Sequence, residues 1–286
     1  MRALRIAGTA LAIVVLALLE ASCQSVSPTA PSTSVEPTSR EPTAAASFKP
    51  PPSTTRQAYV YAWFFNVRPG HPFSDPALRQ AIAMCLDTSR MFDETASLAP
   101  DPVIPASGLL SGDATADGPL LPAPRFDPEG ARSGLASAGW TIGLDGVAQR
   151  ADDRLASILG VIPNGPAWRW QPLATAEGDL RACGVDLAHP DDFAGGVPVT
   201  TDRAELGLMR WPATPEGLAA ALGSAAAIDG ALPEVANWSG WSDSETDRLL
   251  GEIRSAPSEA DRLAALDELE ERISDRLPVI PLWLEP

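Results

Sequence analysis

Two histidines and three cysteines are the whole stock of imidazole and thiol groups in this 286-residue chain. His189-Pro190-Asp191-Asp192 is the densest reactive cluster: an imidazole beside two carboxylates could act as an acid/base pair or a partial metal site. The same tetrapeptide reads more simply as a turn followed by a capping aspartate. His71 stands in Pro69-Gly70-His71-Pro72, a turn with no nucleophile beside it. Cys23, Cys85 and Cys183 are too widely spaced for a paired-cysteine motif, and the chain has no H-E-x-x-H, no G-x-S-x-G elbow and no phosphate loop. These residues point to a protein that is not an enzyme, with neither cofactor nor metal centre. The 37 acidic and 21 basic side chains give a net charge of −16, a field that repels phosphate and argues against nucleic acid as a partner.

The elements around these residues begin with an export signal. Arg2 and Arg5 precede an uncharged apolar run from Ile6 to Leu19, which is too short to cross roughly 30 Å of hydrocarbon comfortably. Small residues follow at Ala21 and Ser22. With Cys23 at the processing point, residues 1–23 resemble a bacterial lipoprotein signal, which implies a lipid on Cys23 and an anchor on the outer face of the cell membrane. Glu20 departs from that pattern, in which an apolar residue is preferred. Residues 24–57 read as a disordered tether, since Ser, Thr and Pro fill 20 of the 34 positions. Residues 58–286 then form the folded part and carry a net charge of −18.

Within that part, Tyr59 to Asn66 is aromatic and β-prone and reads as a buried strand. Ser74-Asp75-Pro76 starts a helix expected to reach about Met91, and residues 95–126 read as a long loop. Asp127-Pro128-Glu129 opens a helix stopped by Gly139, and Asp145-Gly146 is a turn. Leu155 to Ile162 is an apolar strand, Ala167 to Cys183 a helix closed by Gly184, and Val185 to Leu187 a short strand, an order that predicts a crossover unit. Leu206 to Trp211 is a further strand, with Pro215 to Leu222 a helix behind it. Helices follow from Ser242 or Asp243 to Ile253 and from Ser258 to about Arg276, and Pro278 to Trp283 is a final strand. The class is α/β or α+β, a mixed sheet with packed helices. Cys85 and Cys183 lie on apolar faces of expected helices, which favours two buried thiols over one disulfide.

Several of these segments carry motifs. Phe73-Ser74-Asp75-Pro76 through Arg79-Gln80-Ala81, Phe126-Asp127-Pro128-Glu129 through Ala138-Gly139-Trp140, and Asp145-Gly146 come first. Asn237-Trp238-Ser239-Gly240-Trp241 with Asp247 to Leu250, and Leu277-Pro278-Val279-Ile280-Pro281-Leu282, complete the series. In order and spacing they resemble the family 5 extracytoplasmic solute-binding proteins, the receptors of dipeptide, oligopeptide and nickel ABC importers. The resemblance implies a periplasmic-binding-protein-like type II fold. Members are two-lobed clamps of about twice this length, and the motifs here belong to the C-terminal lobe. The implied function is that of a lipid-anchored, extracytoplasmic substrate-binding component, reduced to one lobe and weakly binding a peptide or similar small solute. Its partners would be an ABC permease and a separate N-terminal lobe. The alternative is an interaction module docking on a permease, a partner lobe or another surface protein. The implied ligand residues are Arg210, Trp211, Thr214, Asn237 and Trp238. Thr214 stands where the family has an aspartate for the ligand's amino terminus, Arg210 where it has glycine, and Pro212 removes a backbone donor. An acidic or neutral ligand fits these changes better than a free amino terminus.

Overall fold

Alternation along Tyr59 to Phe65 sets the architecture. A computed structural model describes residues 57–110, 124–151, 153–160, 167–188, 204–224 and 236–286, and places this segment as strand β1 (Tyr59–Phe65) inside a six-stranded sheet. Tyr61, Trp63 and Phe65 face one apolar layer and Val60, Ala62 and Phe64 the other. A strand buried on both faces reads as a continuous apolar and aromatic run, which is why this stretch carries no charged residue.

The sheet order is β2 (Ile104–Pro105), β9 (Val279–Glu285), β1, β8 (Leu206–Pro212), β6 (Ala156–Gly160) and β7 (Asp186–Ala188). β1 runs antiparallel to β8 and β9, whereas β6 is parallel to both β7 and β8. The sheet is therefore mixed, as expected. Helices α1 (Pro76–Ala83), α2 (Thr88–Leu98), α3 (Pro128–Ser137) and α4 (Gln171–Ala182) contribute to the layer under Tyr61 and Trp63. Helices α5 (Pro215–Leu222), α6 (Ser244–Ser255) and α7 (Glu259–Arg276) form the layer under Val60 and Phe64. A small antiparallel sheet of β3 (Thr141–Ile142), β4 (Ala148–Arg150) and β5 (Asp153–Arg154) turns at Asp145-Gly146. Gly184 adopts φ +92°, and a Cβ there would lie 3.0 Å from the Ala148 amide. That amide donates to the Gly184 carbonyl, so the small sheet is tied to the end of α4 through a position only glycine fills easily.

Caps explain most helix starts: Asp75, Asp87, Asp127, Thr214, Asp243 and Ser258 each accept a backbone N–H in the first turn that follows. Three expectations need correction. The helix from Pro76 does not run to Met91. It ends at Ala83, and Asp87 caps a second helix, because its carboxylate offers the Arg90 amide a local alternative to helix continuation. The segment after residue 95 is not all loop, since α2 continues to Leu98 and Ile104–Pro105 adds an edge strand. Cys85 and Cys183 are bonded, with Cα atoms 6.3 Å apart. Both sit on apolar faces as read, but the two faces meet over the same side of the sheet. Residues 1–56, which hold the expected signal and all but the last residue of the expected tether, lie outside the described residues.

Candidate functional site

In an open sheet with parallel strands, ligands collect beyond the carboxyl ends of those strands. Here that end is marked by the last residues of β8 and β9 and the first of β1, where Tyr59 lies opposite Pro212 and Glu285, and Tyr61 opposite Arg210 and Trp283. Arg210 and Glu285 occupy strand positions that are only 7% exposed, so both charges need partners. Arg210 Nη1 donates to the Tyr61 hydroxyl at 3.1 Å, and that hydroxyl donates to Glu285 Oε2 at 2.7 Å. Arg169, from the short 3-10 turn Ala167–Trp170 ahead of α4, donates through Nη2 to Glu285 Oε1 at 2.6 Å. The result is a chain of charge-assisted bonds, Arg210–Tyr61–Glu285–Arg169.

Aromatic rings wall this chain. The Arg210 guanidinium lies 4.6 Å from the Tyr59 ring centre, and that of Arg169 lies 5.2 Å from the ring of Trp168. Trp283 stacks on Tyr61 with centroids 4.9 Å apart and planes within 10°. A register shift in the β1–β9 pairing between Tyr61 and Ala62 aligns Pro281, which has no N–H to give, and sets the phase that brings Trp283 onto Tyr61. Among the described residues two guanidiniums gather around one carboxylate, in a chain that is acidic overall. Burial, and then the bond to Glu285, push the Tyr61 phenol pKa well above its ordinary value, while Arg210 opposes the shift. The hydroxyl therefore stays protonated. Buried N–H groups of Trp168, Arg169 and Trp283 have no hydrogen-bond partner among the described residues. The cluster thus offers donors and positive charge, which suits an acceptor-rich anionic group.

Of the five expected ligand residues, only Arg210 belongs to this cluster. Trp211 is fully buried on the opposite face, and its indole N–H donates to the Leu109 carbonyl at 3.0 Å. Thr214 caps α5, its hydroxyl accepting from the Gly217 amide. Asn237 and Trp238 sit at the other end of the sheet, where the Ser239 carbonyl accepts from the amide of Val67, beyond β1. Asn237 organises its own turn, donating to the carbonyls of Gly223 and Trp241 and accepting from the Ser239 hydroxyl. Trp238 is buried against Phe64. His71 pairs with Glu205 at 3.0 Å, and His189 lies outside the described residues, as do Asp191 and Asp192. Sequence reading missed Tyr59, Tyr61, Trp168, Arg169, Trp283 and Glu285. The signal was present: a charge inside an apolar strand, at Arg210 and again at Glu285, has to be paired when the strand is central.

The comparisons agree with this architecture. The family described as bacterial extracellular solute-binding proteins, family 5 Middle, matches residues 17–188, more than half of the chain. No curated protein sequence matches significantly. Among solved structures, NikZ from Campylobacter jejuni in complex with Ni(L-His) superposes with a TM-score of 0.62 at 19% identity, covering 80% of this chain and 47% of that one. The mannohexaose-bound periplasmic oligopeptide-binding protein from Thermotoga maritima gives 0.61 at 18%, with 79% and 44% covered. Lactococcal OppA with an endogenous peptide gives 0.60 at 19%, with 80% and 46%. The chain spans less than half the length of each of these structures. With the family profile running across most of the helical layer beneath Tyr61 and the same fold recurring in those binding proteins, the chain belongs to the bacterial extracellular solute-binding proteins of family 5.

Proposed function

We propose that this chain is the substrate-binding component of a peptide-type ABC importer, and that its ligand presents a carboxylate to Arg210 and Arg169. The family is one of binding proteins, not enzymes, so the reading concerns recognition alone. The observation that carries it is the arrangement at the carboxyl ends of the strands: among the described residues, the guanidiniums of Arg210 and Arg169 and the indole N–H groups of Trp168 and Trp283 gather around the one carboxylate of Glu285. Thr214 supplies no charge there, and the Glu285 carboxylate is already engaged by Tyr61 and Arg169, so an amino terminus finds no free carboxylate among the described residues of this cluster. The described residues form one wall, and a ligand held on one side keeps much of its water. Binding by this chain alone is then near millimolar, about −4 kcal/mol. A permease and a facing lobe complete the system. A lipid on Cys23 holds the protein outside the cell.

Calorimetry with one short peptide in four forms tests the reading: free, amino-acetylated, carboxyl-amidated, and both. Acetylation is expected to leave affinity unchanged and amidation to reduce it about tenfold. Arg169→Gln is expected to remove the difference between free and amidated peptide. Equal binding of free and amidated peptide, or micromolar binding of either by the wild-type chain, overturns the proposal.

A further inference from the structure

The end of the sheet remote from Arg210 holds a cavity of about 410 Å³, walled by Arg79, Trp241, Ser242, Asp243, Arg272 and Arg276. That size lies within the usual range of small-ligand sites. Its floor is Arg79, whose residue is 2% exposed. Arg79 Nε and Nη2 both donate to the Arg276 carbonyl, at 2.9 and 2.6 Å, and Nη1 donates to the Phe73 carbonyl at 2.6 Å. Carbonyl oxygens satisfy its N–H groups but bring no negative charge. Among the described residues, no carboxylate lies within ion-pair distance of Arg79.

The side chain of Arg276 also has no polar partner among the described residues. Arg272 differs: its Nε and Nη2 grip both oxygens of Asp243 at 2.6 and 2.7 Å. That pair cancels, leaving Arg79 and the exposed Arg276 as the positive charges at this cavity that make no ion pair among the described residues. Burial lowers the Arg79 pKa to about 10. Asp75 opposes that shift and the neighbouring Arg276 adds to it. Arg79 therefore remains charged at neutral pH, and an anion between the two guanidiniums relieves their repulsion.

Apart from Ser74, Ser242 and Gly240, the rest of the lining is apolar or flat. Val67, Pro69 and Pro76 contribute hydrocarbon, and the Trp241 ring is fixed by its N–H bond to Thr246 Oγ1 at 3.0 Å. On the far side of Arg272 and Arg276, a neighbouring depression is lined by Glu245, Glu268, Glu271 and Asp275. The positive field is therefore confined to the cavity, and a compact anion is favoured over a polyanion. We propose that this cavity is a second binding site, separate from the strand-end cluster, for a small organic anion whose phosphate or carboxylate sits between Arg79 and Arg276 and whose flat apolar body lies against Trp241.

The test measures thermal shift and calorimetric binding of inorganic phosphate, benzoate, phenyl phosphate and uncharged benzyl alcohol to the full chain. Phenyl phosphate and benzoate are expected to bind and raise the melting temperature, inorganic phosphate to bind several-fold more weakly, and benzyl alcohol not to bind. Arg276→Gln is expected to weaken both aromatic anions about tenfold with the unliganded melting temperature unchanged, and Arg276→Glu to abolish binding. Trp241→Leu is expected to bring phenyl phosphate down to the affinity of inorganic phosphate. Arg169→Gln, at the other end of the sheet, is expected to leave unchanged the part of the binding that Arg276→Glu removes, which separates this site from the peptide site. No binding of any anion, or undiminished binding by Arg276→Glu, overturns the proposal. Equal binding of phosphate and phenyl phosphate by the wild type overturns the role given to Trp241.

Discussion

Tyr61 is a phenol locked between a guanidinium and a carboxylate, and that makes it a pH-dependent element of stability. Its pKa is raised in the folded chain, mainly by burial, so the unfolded chain loses the proton first as pH climbs past about 10. The contribution is complete below that value and declines as pH rises through the unfolded and then the folded pKa. Tyr61→Phe is expected to cost about 1–2 kcal/mol at pH 8, since Glu285 loses a donor in a buried site. The same variant should also show a shallower loss of stability between pH 9 and 11 than the wild type. Urea melts across that range check both effects, and parallel losses would show that Tyr61 does not govern the alkaline limb. Much of this chemistry was legible in Tyr59-Val60-Tyr61, whose period of two places both hydroxyls on one face of a strand. The partner was not: Glu285 lies 224 residues away, and no local pattern links them.

Among the elements, what could be read locally was read well, and what depends on distant segments was not. Capping residues and the glycines at 139, 146 and 184 marked most boundaries, because each acts on backbone within a turn of itself. The break at Asp87 was hidden by apolar residues that continue at helical spacing on both sides of it. The five residues carried over on the resemblance lie on two faces and at two ends of the sheet, since a motif gives the order of residues and not what each side chain packs against. The disulfide belongs to the same class of long-range fact. It joins the end of α1 to the end of α4 across 98 residues. Closing a loop of that length restricts the unfolded chain by roughly 4–5 kcal/mol in the chain-entropy account. Reduction, or Cys85→Ser with Cys183→Ser, is expected to lower the urea midpoint substantially with the sheet intact. An unchanged midpoint would mean that the bond does not form in solution.

At the scale of the whole molecule, the acidic charge and the expected anchor describe a protein presented at a surface. Metabolic labelling with a fatty acid is expected to mark the wild type, and Cys23→Ser to abolish the label. An unlabelled wild-type protein released into the medium would instead indicate an ordinary signal, with Glu20 as the departure responsible. The central place of β1 has a further consequence, in the timing of folding. β1 near residue 60 is flanked by β8 and by β9, and Tyr59 pairs with Glu285. The sheet cannot close until nearly every described residue has emerged from the ribosome. Contacts of such sequence separation also form slowly, in milliseconds to seconds. A chain bound for export has to pass its translocation channel before it packs. Placing the earliest strand between two of the latest delays packing through topology alone, so the fold itself keeps the nascent chain threadable until it reaches the outside.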